Sequence, residues 1–316
     1  MAKYSAAGAA LWAQRFGNSG DDVANGVAVD AAGNVLVTGS FFSQTDFGGG
    51  MLYSQYYDED TFVAKLSPSG GYLWARNFWN ASADRGQAIA VDGNGDVFVA
   101  GTYNGLMNLS GTMLGSPGPS DGYVAKLSGV NGSGVWSRAF GAMLGDAAYG
   151  VAVDGSGNVL VTGTFDGSVN FGTAPYVSAG NDAFVAKYSG SGTPLWSKDI
   201  GGTPKNKRGN SVAVDTLGNV LVTGFTDGTA DFGGGLSLTA FGYADIFVAK
   251  YTAAGAVQWA ENFGAITFGA AGRGIAVDRA TNVVVVTGGF DTWADFEGSA
   301  LSSAGANDGF LVRLAP

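Results

Sequence analysis

Between Gly150 and Asp154 the chain alternates small or polar residues with valines, reading Gly, Val, Ala, Val, Asp. This period of two predicts a strand with one packed face. A turn follows at Gly155-Ser156-Gly157-Asn158, and then Val159-Leu160-Val161-Thr162 is β-branched and apolar throughout, as a strand covered on both faces would be. A polar interval leads to Phe184-Val185-Ala186-Lys187-Tyr188, and a Gly-bearing turn leads to Leu195-Trp196. The pattern predicts four short antiparallel strands, here called a, b, c and d. No helical period competes with it.

The same phrase recurs. Strand a ends in Asp30, Asp92, Asp154, Asp215 and Asp278, which lie 62, 62, 61 and 63 residues apart, and Trp12, Trp74, Trp136, Trp196 and Trp259 keep the same beat. A fixed period of this kind marks a repeat architecture, in which no unit can bury its apolar face alone. Four-stranded antiparallel units repeated radially are the blades of a β-propeller. The expected fold is therefore all-β, a single five-bladed β-propeller over residues 1–316. Strand a carries small residues on one face, as in Gly26/Ala28, Ala88/Ala90, Gly150/Ala152, Ser211/Ala213 and Gly274/Ala276. Innermost strands could then pack closely.

Strands b and c are separated by about 20 residues, too many for a bare loop in a compact domain. A hairpin extension with a Gly-rich tip is expected there. Phe47, Leu109, Phe171, Phe232 and Phe296 fall at one equivalent position in it and should tuck between blades. The last unit supplies a, b and c but not d, whereas Leu11–Phe16 reads as a d strand without a blade. The simplest arrangement puts this N-terminal strand in the last blade and closes the ring, which removes exposed sheet edges. Lys3-Tyr4-Ser5 duplicates the position of Arg313-Leu314-Ala315. The C-terminal copy is expected to hold that position and the N-terminal copy to fray.

The phrase G-x-A-V-D-x-x-G-N-V-x-V-T-G, followed by D-x-F-V-A-K and a Trp strand, resembles the bacterial beta-propeller repeat of SBBP type and, more loosely, the NHL repeat. The family name implies seven blades, whereas this chain carries five units. The resemblance implies a bacterial extracellular or cell-envelope setting, and it carries over no catalytic residues.

Composition narrows the chemistry. Charged residues make up 13% of the 316, against about 25% in ordinary domains. The formal net charge is −10, the wrong sign for the basic track that nucleic acid requires. There is no cysteine and no histidine, so disulfides, thiol nucleophiles and the commonest general base and metal ligand are all missing. No cofactor and no metal are expected. No apolar run approaches 18 residues, so no membrane span is expected. Met1-Ala2-Lys3-Tyr4-Ser5 lacks an apolar core, so no signal peptide is expected in this stretch.

Candidate residues fall into two groups. Asp22, Asp84 and Asp146 each precede the strand-a aspartate by eight positions, where the last two units have Lys207 and Ala270. Converging carboxylates would serve a five-bladed glycosidase, but hydrogen bonding to linker amides explains them more simply. Asp92-Gly93-Asn94-Gly95-Asp96 copies the start of a calcium loop but lacks its downstream Glu, so a hairpin turn is expected. Lys65, Lys126, Lys187, Lys250 and Arg313 should cover apolar surface and reach a nearby carboxylate. The second group departs from the repeat. Asn25, Gln87, Tyr149, Asn210 and Arg273 stand just before strand a, four residue types at one equivalent position, and all can hydrogen-bond. By propeller topology they would ring the mouth of the central channel. Trp79 and Trp293 are off the beat, with apolar Met143, Leu144, Ile266 and Phe268 nearby. These residues are the candidate ligand site. The expected function is a non-catalytic binding or display module, monomeric, whose partner is an unknown protein or glycan. A pentavalent lectin is the alternative, against which the differences between units speak.

Overall fold

The structure is a computed structural model, and it describes residues 1–314 apart from 19, 55–57, 79–81, 142, 179, 204–205, 265–268 and 297. Every described element is a β-strand. The chain divides into two compact units, Met1–Ala139 and Phe140–Pro316.

The first unit contains two four-stranded antiparallel sheets. One runs Val23–Val29, Val35–Phe42, Glu59–Leu66, Tyr72–Phe78, and the next Arg85–Val91, Val97–Tyr103, Asp121–Leu127, Gly134–Phe140. Each is ordered a-b-c-d, so every strand pairs with its neighbour in sequence. The core lies between the sheets, where Leu36 and Val63 of the first meet Ile89, Val97 and Val99 of the second. The second unit continues with the third sheet (Ala147–Val153, Val159–Phe165, Asp182–Tyr188, Pro194–Ile200) and the fourth (Lys207–Val214, Val220–Thr226, Asp245–Tyr251, Val257–Phe263). The fifth has three strands, Ala270–Val277, Val284–Phe290 and Asp308–Leu314. Leu160 and Val185 pack on Val212 and Val222, and Leu221 and Val248 on Ile275 and Val286.

Small residues set the spacing. A Cβ added to Gly150 would lie 3.0 Å from Ser211 Cα, and one on Gly209 would lie 2.0 Å from Thr162 Oγ1. No larger side chain fits without moving a neighbouring sheet. The b–c intervals are separate two-stranded hairpins, for example Ser168–Asn170 with Pro175–Val177. Their shared apolar position is buried in all five: Phe47, Leu109, Phe171, Phe232 and Phe296. Phe171 stacks on Phe184 of strand c at 4.4 Å and meets Phe140 of the preceding strand d at 5.4 Å.

The edge with the a–b turns repeats closely. Asp30 Oδ1 accepts from the Ala32 and Asn34 amides, and Lys65 Nζ lies 2.9 Å from Oδ2. Burial by itself would raise this carboxyl, but Asn34 and Lys65 hold it down to about 2. Lys187–Asp154 at 2.9 Å, Lys250–Asp215 at 3.2 Å and Lys126–Asp92 at 3.4 Å repeat the pair. The calcium-like turn is thus a hairpin turn with an ammonium group, as Lys126 also reaches Asp96 at 3.0 Å. The repeated tryptophans tie sheet to sheet: Trp74 Nε1 donates to Gly129 O at 3.2 Å and Trp196 Nε1 to Ala253 O at 3.0 Å.

The N-terminus departs from expectation. Ala2–Tyr4 does not fray but pairs with Ala10–Ala13 as a two-stranded sheet, with Lys3 opposite Trp12. Residues Ala10–Ala13 therefore pair with that strand and not with Asp308–Leu314, whose sheet has three strands among the described residues. The hairpin copies the c–d half of a blade, since Lys3 Nζ and Trp12 Nε1 both donate to Pro68 O, at 2.9 and 3.0 Å. A short local turn closes this pairing at little entropic cost, whereas pairing with the far end of the chain closes a very long loop.

Candidate functional site

The five variable residues share one backbone feature. In each sheet the a–b register slips by one residue, between Ala24 and Gly26, at the Gln87 step, between Ala148 and Gly150, between Gly209 and Ser211, and between Gly272 and Gly274. The skipped residues are Asn25, Gln87, Tyr149, Asn210 and Arg273. A β-bulge leaves its extra residue out of the ladder and re-aims the side chain. The repeat thus builds one re-aimed position per sheet and fills the five with four residue types.

Two of these side chains are committed to the scaffold. Asn25 Nδ2 donates to Gly86 O at 2.9 Å and Asn210 Nδ2 to Gly272 O at 2.7 Å, each tying strand a to strand a of the next sheet. Asn210 Oδ1 is buried with no protein donor. Gln87 is half-buried and Arg273 exposed. Asn25 and Gln87 lie in the first unit, and Tyr149, Asn210 and Arg273 in the second. Trp293 opens the last hairpin and is partly exposed. Trp79, Ile266 and Phe268 lie outside the described residues. Met143 and Leu144 are exposed.

Sequence reasoning missed Arg208, which stands two residues before Asn210 on the same strand. Its Cζ lies 3.5 Å from the centre of the Tyr149 ring, the stacking geometry that an aromatic face offers a guanidinium. Burial holds Arg208 below the usual arginine range; Tyr149 opposes this, and Arg273 lowers it further. Arg208 Nε is buried without an acceptor. The signal was available in the second sheet, where Arg85 occupies the equivalent position.

A second departure lies at the junction of the third and fourth sheets. Asp199 and Asp182 both approach Gly201, where an added Cβ would lie 3.0 Å from an Oδ2 of each. They line a cavity of about 420 Å³ together with Asp231 and Thr203. Burial pushes Asp199 up to about 7; Asp182 and Asp231 add to this and Lys207 opposes it. Lys207, fully buried, is held below the ordinary lysine range by burial, against the attraction of Asp182, Asp227 and Asp199.

The linker carboxylates do structural work. Asp22 Oδ2 accepts from the Asn18 amide at 2.7 Å, Asp84 Oδ1 from Asn104 at 3.2 Å, and Asp146 Oδ1 from Asp166 at 2.9 Å. Among the described residues no group of acidic side chains has metal-binding spacing, and no helix is long and apolar enough to cross a membrane.

Four-stranded antiparallel sheets joined in sequence order, repeated along an all-β chain, are consistent with the blades of a β-propeller. The comparisons with known proteins agree: the SBBP beta-propeller repeat matches residues 11–40 and 195–233. An uncharacterised WD repeat-containing protein of Acanthamoeba polyphaga mimivirus is 30% identical over 139 residues, which is 40% of this chain and 10% of that protein. The chain therefore spans about a tenth of that relative's length. Among solved structures, a protein of unknown function from Bacteroides caccae aligns over 80% of this chain and 69% of its own, at 12% identity and TM-score 0.41. BamB from Moraxella catarrhalis aligns over 84% of this chain and 82% of its own, at 16% identity and TM-score 0.29.

Proposed function

We propose that the protein is a non-catalytic binding module whose ligand site is built from the bulged residues of strands a. The observation that carries this reading is the fivefold bulge filled by four kinds of side chain, Asn25, Gln87, Tyr149, Asn210 and Arg273. A scaffold that only had to pack could repeat the Asn25 and Asn210 tie at every bulge, whereas Gln87, Tyr149 and Arg273 bring other chemistry to it. The Tyr149–Arg208 stack supports it, because it offers a preformed polar surface. A lectin with five equivalent sites has less support, since the five positions are not equivalent. A glycosidase has less still, because Asp22, Asp84 and Asp146 each accept a backbone amide. The setting is the cell exterior or envelope, and the partner is a protein or a glycan met by a single copy of the chain.

The site is complete if the five sheets close into a five-bladed ring, with the bulges around one funnel. Support comes from Val27 on strand a of the first sheet, which is 64% exposed, whereas its counterparts Ile89, Val212 and Ile275 are buried. Beside it lies an apolar groove of about 590 Å³, lined by Val23, Val29, Val35 and Trp12. Burying such a residue is worth about 1.5–3 kcal/mol, so a covered face is favoured. Because the chain has no cysteine, a Val27→Cys variant reports closure directly. Thiol labelling should be slowed at least a hundredfold relative to the unfolded chain, and labelling at the unfolded rate would refute a closed ring. Binding is tested on a glycan array and a peptide array with the parent and the Tyr149→Ala/Arg273→Ala variant. At least tenfold weaker capture at unchanged Tm is expected. A ligand that maps to the a–b turns would sink the reading.

A further inference from the structure

Arg208 and Arg85 occupy the same step of strand a in the fourth and second sheets, and their surroundings differ in one respect. Arg85 is paired with Glu59, the residue just before strand c's aspartate in the preceding sheet. The equivalent residue in the third sheet is Asn181: Lys207 N bonds Asn181 O as Asp84 N bonds Glu59 O. The fourth sheet therefore keeps the cation and has lost its anion. Among the described residues, neither Arg208 nor Arg273 lies within ion-pair distance of a carboxylate. This happens in a chain with 26 acidic residues against 16 basic ones, where a free carboxylate is the easiest partner to find.

Arg208 Cζ lies 3.5 Å over the centre of the Tyr149 ring, which gives the guanidinium an aromatic backing. Stacking uses its face and leaves its edge, which is where its fork of N–H donors lies. One donor on that edge, Nε, is buried and has no acceptor in the protein. A buried donor without a partner is costly unless something supplies one. Arg273 stands on the next bulge, whose strand the Asn210–Gly272 bond of 2.7 Å ties to that of Arg208, and its charge disfavours that of Arg208. Two cations on neighbouring strands without a counter-charge favour an anion between them.

We infer that Arg208 and Arg273 form an oxyanion site backed by Tyr149, and that the ligand of this surface carries a carboxylate, as an acidic sugar does. The inference rests on the binding reading above and assigns its ligand class. A guanidinium fork can take either a carboxylate or a phosphate in bidentate fashion, so phosphate is the competing arm of the test.

The test is titration of the parent with glucuronate, glucose and inorganic phosphate, following the arginine Nε–Hε signals by NMR. Glucuronate should shift the Arg208 signal saturably and bind at least tenfold more tightly than glucose. Arg273→Gln, an exposed position, should weaken it at least fivefold at unchanged Tm. Arg208→Lys, which keeps the charge but not the fork, should weaken it further. Equal binding of glucose and glucuronate would overturn the inference, and so would phosphate binding more tightly than glucuronate. No shift at Arg208 with any of the three overturns it too. The broader binding reading survives any of these if a ligand found on the arrays still depends on Tyr149.

Discussion

The same outer corner of the fourth and third sheets is built once with an amide and once with an acid. In the fourth sheet Asn262 Nδ2 donates to Asp245 Oδ2 at 3.2 Å and to Thr239 O at 3.0 Å. In the third sheet the equivalent residue is Asp199, which has no amide to give, and it shares its corner with Asp182. The linker beside it has changed as well, since Lys207 stands where the first three linkers carry Asp22, Asp84 and Asp146. The two departures belong together. An added carboxylate near a buried one is tolerable because an ammonium has replaced a third, and the corner keeps its balance of charge at the cost of desolvating a lysine. The repeat therefore varies in compensated groups as well as at single sites.

The coupling of the two departures shows most strongly at the lysine. Lys207→Ala should cost about 3 kcal/mol, the loss typical of leaving a buried ion unpaired. The loss should shrink to about 1 kcal/mol in an Asp199→Asn background, since only contacting residues couple in a double-mutant cycle. Additive losses in urea denaturation would show that the two positions are independent.

The acid itself gives a smaller effect with a definite pH dependence. In the unfolded chain Asp199 titrates near 3.9, whereas burial and Asp182 push it up to about 7 in the fold. The folded protein then holds the extra proton between those values, and stability falls as pH rises through that window. Asp199→Asn should therefore match the parent at pH 4 and exceed it by about 1–2 kcal/mol at pH 8, discounted for the solvent the carboxyl still meets. A gain of the same size at both pH values would remove the titration argument. The Lys65-paired Asp30 has the opposite sign. Its carboxyl is held at about 2, so its contribution is present above about pH 4 and is lost as pH falls towards 2.

The reverse exchange is expected to be milder. Asn262→Asp puts a second carboxylate beside Asp245 without a compensating lysine, and it should cost about 1–2 kcal/mol at neutral pH, the range for a lost buried hydrogen bond. A neutral result in thermal unfolding would show that Asn262 does not support Asp245. The smallest effect belongs to the bulge. Arg273→Ala should change stability by less than about 0.5 kcal/mol, as exposed substitutions do. A larger loss would make Arg273 part of the scaffold.

The period of two, the 62-residue beat and the turn chemistry determined the strands, their order and the buried hairpin aromatics. Those follow from local sterics and alternation, which a linear chain displays openly. The Asp–Lys pairs were also legible, because both partners recur at fixed spacing. The tertiary structure decided three things. It paired Ala2–Tyr4 with Ala10–Ala13, since a strand's partner is settled by competition between edges and not by the strand's own pattern. It showed that Asn25, Gln87, Tyr149, Asn210 and Arg273 are bulged, because register is a property of two strands together. And it brought Arg208 to Tyr149 from 59 residues away in sequence. The charge on Arg208 was readable in the chain, but the lack of a carboxylate beside it depends on which residues the neighbouring sheet presents.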